Sequence, residues 1–385
     1  MKTYHFFPVF VILVVSYVCT HLYAARWLTR SFALGQPAYY WLRLALLSAA
    51  FISPLTMFLK RYQHGSLLEA FYAAGYAWMG IILIAGVIFT ASDMAALVLR
   101  RAPWFQPRLL AQAALAMVAV ITAWGLHEGR KIPPIKEITV PFKGLPTALE
   151  GFRIAQISDM HVDAGWKVRQ FAAIVDRINS VSPDLVLFTG DLIDPGLNGT
   201  AELGALTAKI KSRLGLFGAL GNHEYYYGLP RSMDCYKDLG IKLLRNEAIE
   251  FPSGRGPAGP AGAPDLRLIG LGDIHTEHLS QADVTRLMER LRDGKFTILM
   301  SHQPVFYPAI AATGDYMVFS GHTHKGQIFP FNILTWLFYG YFYGLYYINN
   351  SAFYVTSGSG TWGPPIRWFA AAEIPVITLR NKVED

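Results

Sequence analysis

The chain has 385 residues, 52% of them hydrophobic and only 16% charged. An ordinary soluble domain carries roughly 25% charge, so this composition excludes both a disordered chain and a wholly soluble protein of average make-up. Two cysteines, Cys19 and Cys235, exclude a disulfide framework and a Cys-rich zinc module, so any metal site must be built from His, Asp, Asn and Glu. The net charge of +7 sits at the front: residues 1–130 hold 10 Lys+Arg against 3 Asp+Glu, and the remainder balances at 24 against 24.

Four apolar runs occupy that front third: Phe6–Tyr23, Ala38–Leu59, Leu67–Phe89 and Leu109–Leu126. Each is long enough for a bilayer core, which needs about 20 helical residues. Basic residues punctuate them (Arg26, Arg30, Lys60, Arg61, Arg100, Arg101, Arg108), and Tyr39, Tyr40, Trp41, Trp104 and Trp124 lie near their ends as interfacial aromatics do. Residues 1–127 therefore read as an all-α four-helix transmembrane domain. The basic residues divide almost evenly between the two sides, so they set no orientation. Arg43, Glu69 and Asp93 lie within or at the ends of the runs, where snorkelling to the interface accommodates charge.

Residues 128–150 read as a Pro-rich linker, with Pro133, Pro134, Pro141 and Pro146 breaking any helix and Ile138–Val140 forming a short edge strand. From Gly151 to Asp385, short Val/Ile/Leu/Phe runs alternate with helical stretches, which predicts a layered α/β domain. The expected strands are Arg153–Ile157, Leu185–Phe188, Leu216–Leu220, Leu266–Leu271, Thr297–Met300, Met317–Phe319, Phe353–Thr356 and Val376–Leu379. The expected helices are Val168–Ser180, Ala201–Arg213, Met233–Leu239 and Ala282–Leu291. Pro252–Pro264 is Gly/Pro/Ala-rich and reads as a flexible surface loop.

Five of these strands run straight into polar side chains. They are Asp159 and His161, then Asp191, then Asn222-His223-Glu224, then His302, then His322 and His324. Ligands of open α/β sheets bind beyond the carboxyl ends of the strands, so residues distant in sequence should converge there. Imidazole, carboxylate and amide oxygen together suit divalent metals such as Mn, Fe or Zn. In Asp159-x-His161 and His322-x-His324, ligands of equal parity on an extended chain would face one side. Seven ligands are too many for one ion and fit two that share a bridge, an arrangement that clamps a phosphate.

The ordered set Asp-x-His, Gly-Asp, Gly-Asn-His-Glu, His and Gly-His-x-His resembles the calcineurin-like metallophosphoesterase superfamily, over roughly Phe152–Leu379. The stretches 150–159 and 354–374 are similar to bacterial membrane-associated phosphodiesterases, and the preceding spans to transmembrane proteins with a metallophosphoesterase domain. The resemblance implies a four-layer β-sandwich flanked by helices and a centre of two divalent metal ions. One ion would be held by Asp159, His161, Asp191 and His324, the other by Asp191, Asn222, His302 and His322. A metal-bridging hydroxide would attack phosphorus, and His223 would be the catalytic acid. Every motif position carries the residue type the resemblance requires.

The family cleaves monoesters, diesters and pyrophosphates. Residues 328–350 carry ten aromatics and no charge directly after the last metal motif. They read either as a segment that dips into lipid or as a hairpin packed on the core. With the membrane spans, this segment directs the reading to a phosphodiesterase or pyrophosphatase acting on a lipid-linked substrate in a multi-pass protein of the bacterial inner membrane. Lys325, next to His324, is the candidate substrate-binding cation; Asp163 and Asp194 are candidates for orienting imidazoles, and Glu224 for a local hydrogen bond. Two other readings stay open: a membrane-tethered sensing or binding protein with an inactive domain, and a nuclease. The charge-neutral rear half carries no basic surface for nucleic acid.

Overall fold

The computed structural model describes residues 6–60, 62–63, 65–163, 165–197, 199–251 and 265–382; the loop expected at 252–264 lies outside them. The chain divides into two units. The first comprises Met1–Arg130 with two later segments, Ile328–Pro330 and Gly363–Trp368. The second comprises Lys131–Gln327, Phe331–Trp362 and Phe369–Asp385.

The first unit consists of α1 (Phe6–Ser31), α2 (Gln36–Leu59), α3 (Ser66–Leu99) and α4 (Pro107–Arg130). All four are long and apolar enough to cross a membrane. All four run further than the apolar stretches in the sequence, α3 by ten residues past Phe89. Hydropathy marks where a bilayer core would end, whereas a helix ends where its backbone is broken. Gly35 and Pro37 separate α1 from α2, and Pro103 lies between α3 and α4. Asp93 and Glu69 are both paired. Asp93 on α3 accepts from the Tyr23 hydroxyl at 3.0 Å and pairs with Arg30 on α1. Lys60 lies 3.0 Å from Glu69 and 4.0 Å above the Tyr72 ring. Trp27 stacks on Phe89 at 3.8 Å. The two later segments close this cluster: Ile328 and Ile366 are buried in it, and Arg367 N–H donates to the Gly125 carbonyl at 2.9 Å. Gly129 lets the α4 backbone approach Pro365, whose carbonyl a Cβ would strike. The Arg367 side chain is buried.

The second unit runs β1 (Ile135–Phe142), β2 (Arg153–Ile157), α5 (Gly165–Ser180), β3 (Leu185–Phe188), α6 (Ala201–Thr207), β4 (Leu216–Gly218), α7 (Asn222–Tyr227), α8 (Leu229–Asp238), β5 (Lys242–Leu243), β6 (Glu247–Phe251) and β7 (Leu266–Gly270). It continues with α9 (Gln281–Arg290), β8 (Phe296–Met300), α10 (Tyr307–Ala311), β9 (Tyr316–Ser320), α11 (Phe331–Tyr339), β10 (Gly344–Ile348), β11 (Ser351–Val355) and β12 (Ile374–Asn381). Two six-stranded sheets form, in the orders β1-β12-β2-β3-β4-β5 and β10-β11-β9-β8-β7-β6.

Period-two alternation explains the layering. On β2 and β3, Ile154, Leu185 and Leu187 join a core between the sheets with Leu268, Ile298, Met317 and Phe319. Their neighbours Ala155, Ile157, Val186 and Phe188 face the other way, against Phe171, Ile174 and Ile178 of α5. Helices α9 and α10 cover the outer face of the second sheet through Val284, Met288 and Ile310. The result is the helix–sheet–sheet–helix arrangement that the family resemblance implies.

Three differences from the sequence reading have local causes. Strand β1 spans eight residues rather than three, pairing parallel with β12 from Ile135↔Ile374 to Phe142↔Asn381. Its Pro141 is tolerated because β1 is an edge strand. Helix α6 stops at Thr207 rather than Arg213, because Ser212 and Arg213 turn back to Asp184 at 3.0 and 2.8 Å. Helices α7, α10 and α11 and strands β5, β6 and β10 have no counterpart among the expected elements; most are too short for a periodic signal.

Truncating the inter-sheet core tests this layering. Leu187→Ala should destabilise the second unit by about 2–5 kcal/mol, read as a lowered thermal midpoint; an unchanged midpoint would place Leu187 outside the core.

Candidate metal centre

The expected site residues converge from both sheets. Asp159 and His161 follow β2, Asp191 follows β3, and Asn222 opens α7 after β4; His302 follows β8, and His322 and His324 follow β9. Asp159, His161, Asp191, Asn222, His302 and His324 are buried. Three groups of potential ligand atoms form among the described residues, Asp159–His161–His324, Asp191–His302–His322 and, sharing His161 with the first, His161–Asp194–His223. In the first, His161 Nε2 and His324 Nε2 lie 3.0 Å apart and His324 Nε2 is 3.4 Å from Asp159 Oδ1. In the second, His302 Nε2 is 3.2 Å from His322 Nδ1 and 3.1 Å from Asp191 Oδ2. The same Asp191 oxygen is 3.8 Å from His161 Nε2, so one carboxylate reaches both groups.

The backbone reaches this geometry by a route other than strand parity. Asp159, His161, Asp191, His322 and His324 have φ values of 56°, 50°, 51°, 69° and 47°. Five side chains sit on left-handed backbone, a conformation that costs about 1–3 kcal/mol each and clusters at functional sites. These segments are turns, not extended chain, and the parity argument for their convergence does not apply. The turns are fastened side by side: Asp159 N–H donates to Gly190 O at 3.1 Å, and His161 N–H to Asp191 O at 3.0 Å. Gly190 (φ 94°) is required here, because a Cβ would lie 2.6 Å from His302 Nδ1 and from Gly221 N.

Neighbouring groups aim the imidazoles. Asp194 Oδ1 lies 3.0 Å from His161 Nδ1 and 2.5 Å from His223 Nδ1, leaving both Nε2 atoms directed elsewhere. His302 Nδ1 bonds the Thr189 carbonyl at 2.8 Å, which directs its Nε2 to the cluster. Asp194 thus takes the orienting role expected of it. Asp163 instead pairs with Lys167 at 3.1 Å, and Lys167 donates to the carbonyls of His161 and Thr361. The Lys325 ammonium lies 4.2 Å over the Tyr343 ring.

Glu224 does more than bond locally. Fully buried, it accepts the N–H groups of Gly221 at 2.8 Å, Asp191 at 2.9 Å and Leu192 at 2.8 Å. Its bond to the Gly221 N–H, three residues earlier, caps the start of α7 locally; its reach to Asp191 is tertiary. Tyr339 was not legible as a site residue at all. Its hydroxyl lies 2.7 Å from His322 Nε2.

The site's electrostatics follow from crowded charge in a dry environment. Burial alone would discharge His302 and His223. The carboxylate of Asp191, joined by Asp159 at His302 and Asp194 at His223, outweighs it and raises them to about 10 and about 9. Burial and the neighbouring His302 push His322 down to about 3. Burial would raise Asp191, but His302 and His223 hold it well below the usual carboxylate range. Burial and Asp191 raise Glu224 to about 7. Two buried oxygens in the cluster, Asp159 Oδ2 and Asn222 Oδ1, lack a hydrogen-bond partner in the structure. Such atoms suit cation ligation, as does a donor set of imidazole, carboxylate and amide. The residues fit a pair of divalent metal ions.

This chemistry defines a metal-dependent phosphoester hydrolase. Residues 152–326 match the family described as calcineurin-like phosphoesterase. The chain is 30% identical over 328 residues to an uncharacterized metallophosphoesterase of Campylobacter jejuni, with 82% of each chain covered. It is 31% identical over 262 residues to one from Helicobacter pylori, covering 67% of each. It is also 31% identical over 277 residues to a transmembrane protein with metallophosphoesterase domain of Danio rerio, covering 70% of this chain and 62% of that one. The chain belongs to the calcineurin-like metallophosphoesterase family, whose members generally use a dimetal centre.

Two measurements test the site's construction. Glu224→Gln should cost about 3 kcal/mol, because an amide cannot accept the same set of N–H donors; an unchanged thermal midpoint would remove Glu224 from the role of loop anchor. The second concerns pH. A histidine whose pKa rises on folding gives stability that is complete below its unfolded value of 6.5 and is lost as pH climbs through its folded value, about 9 for His223 and about 10 for His302. Chelated protein should lose thermal stability between pH 6.5 and about 10, and His223→Gln should shrink that loss.

Proposed function

We propose that this protein is a multi-pass, membrane-anchored phosphodiesterase or pyrophosphatase that works with two divalent metal ions on a lipid-linked phosphoester. The observation that carries the reading is Asp191, whose Oδ2 stands 3.1 Å from His302 Nε2 and 3.8 Å from His161 Nε2, in the position of a bridge. Asp159, His161, Asp191 and His324 would hold one ion, and Asp191, Asn222, His302 and His322 the other. Bound there, the pair supplies Lewis acidity and a nucleophile at neutral pH.

The chain's own residues do the rest. His223 N–H donates to Asp191 Oδ1 at 2.9 Å, so the catalytic loop is tied to the bridging carboxylate. Its ring is held at Nδ1 by Asp194, which leaves Nε2 to give a proton to the leaving oxygen as the P–O bond breaks. Tyr226 and Trp362 flank the ring at 5.1 and 6.0 Å between centroids. Lys325 is the candidate cation for the substrate phosphate. The lipid-linked class is supported by α11, which begins five residues after Gly326 and exposes Phe331, Ile333, Leu334, Trp336, Leu337 and Phe338. Such a patch is unusual on a water-facing surface.

Purified protein in detergent tests the reading. It should cleave bis-p-nitrophenyl phosphate with Mn²⁺ and stop on chelation. Asp191→Asn should abolish turnover, and His223→Ala should lower kcat by about 10²–10⁴-fold without releasing metal. Undiminished cleavage by chelated protein or by Asp191→Asn would overturn the metal-centre reading. A diacyl lipid pyrophosphate cleaved no better than its water-soluble head group would overturn the lipid-linked class alone.

A further inference from the structure

Helix α11 joins two features that the proposed chemistry leaves unconnected: an apolar surface and a hydrogen bond to the metal centre. Its sequence, Phe-Asn-Ile-Leu-Thr-Trp-Leu-Phe-Tyr, has no charge and none of its residues is buried. Leu337 and Phe338 are 66% and 64% exposed. A helix of this kind needs a partner that is apolar over a wide area. The chain itself indicates which. Phe331 follows directly on Ile328–Pro330, a segment that belongs to the unit of membrane-spanning helices, where Ile328 is buried among Ile82, Ile84 and Ala85. The first residue of α11 is thus one peptide bond from that unit. The bilayer that the four long helices would occupy is the apolar phase within reach.

The far end of α11 reaches the centre. Tyr339 Oη lies 2.7 Å from His322 Nε2, and the two rings meet edge to face at 5.5 Å. His322 directs Nδ1 to the cluster, 3.2 Å from His302 Nε2. When Nδ1 gives its lone pair to a metal ion, the ring proton resides on Nε2 and is donated to Tyr339 Oη. That bond sets both the tautomer and the plane of the ligand ring. A second tether runs alongside: Thr323 Oγ1, between the two motif histidines, donates to the Phe342 carbonyl at 2.7 Å, three residues beyond α11.

We propose that α11 is a lipid-seated helix that positions His322 through Tyr339, so that the bilayer surface and one metal position are held by the same nine residues. Tyr339 is a positioning residue in this scheme, because it acts through His322. The inference rests on the metal-centre reading above. A lipid seated on α11 would present its phosphoester to the proposed dimetal site.

Two readouts test it, neither of which uses turnover, so a failed lipid assay does not decide them. The first is depth. Full-length protein carrying Cys19→Ala and Leu337→Cys is spin-labelled at residue 337, Cys235 being buried, and placed in phosphatidylcholine/phosphatidylglycerol nanodiscs. Arg286→Cys on α9 is the water-facing control. The label at 337 should collide several-fold more with oxygen than with a water-soluble nickel chelate, relative to the control. Equal accessibility of the two labels to nickel would overturn the lipid seating. The second is metal binding. Mn²⁺ titration of the apo protein, followed by electron paramagnetic resonance, should show one of two sites weakened about 10–100-fold in Tyr339→Phe. The other site should be unchanged, with Tyr341→Phe like wild type. Two wild-type affinities in Tyr339→Phe would overturn the positioning role. Equal weakening in Tyr341→Phe would do the same, by making the loss a property of the segment and not of the Tyr339 hydroxyl.

Discussion

One buried carboxylate organises the water-facing unit. Asp191 is buried, with three histidines around it, His161, His223 and His302. A lone carboxylate in such a place would be driven to its neutral form. The imidazoles prevent that, and the backbone N–H groups of the Asp191 turn are in turn held by Glu224. Asp191 and the histidines therefore stabilise one another's charge in a volume that would reject any of them singly. The same arrangement is what a pair of divalent ions needs: deprotonated oxygen, neutral imidazole nitrogen directed inward, and a shared ligand at the middle.

The surrounding fold is organised to hold that centre open. Five of the ligand-bearing residues take left-handed backbone, which a chain does not adopt unless its surroundings over-determine it. The surroundings are two sheets whose strands β2, β3, β4, β8 and β9 end together, and turns cross-linked by main-chain hydrogen bonds. The stability needed to offset the strain comes from elsewhere, from the fully buried alternation of Leu185, Val186, Leu187 and Phe188 and its equivalents in the second sheet. Fold and site divide the labour: apolar layers supply free energy, and the strand ends spend part of it on geometry.

The membrane unit follows different rules. Its helices are strongly apolar, its Asp93 and Glu69 pair with Arg30 and Lys60, and its glycines permit close backbone approach. It also recruits two short pieces of the rear half of the chain, Ile328–Pro330 and Gly363–Trp368. Those pieces flank α11 and Trp362, so the residues around the candidate substrate side of the centre alternate along the chain with residues of the membrane unit.

Much of this was legible in the sequence, for reasons that can be named. The spans were visible because bilayer thickness imposes a length on apolar runs. A strand such as Leu185–Phe188 was visible because a strand buried on both faces is a continuous apolar run, and the polar residue following such a run marked the site. The seven proposed ligand positions and the proposed catalytic His223 follow from that marking together with the family resemblance. The sequence could not show that the ligand turns are left-handed, because φ is set by the neighbours a turn must fit between. Nor could it show Glu224 reaching across 33 residues to Asp191, Asp194 shared between His161 and His223, or Tyr339 bonded to His322. Local chemistry is written in residue types and spacing, and it determined the class of reaction. Which side chains meet is decided by the packing of distant elements, and only the tertiary structure carries that.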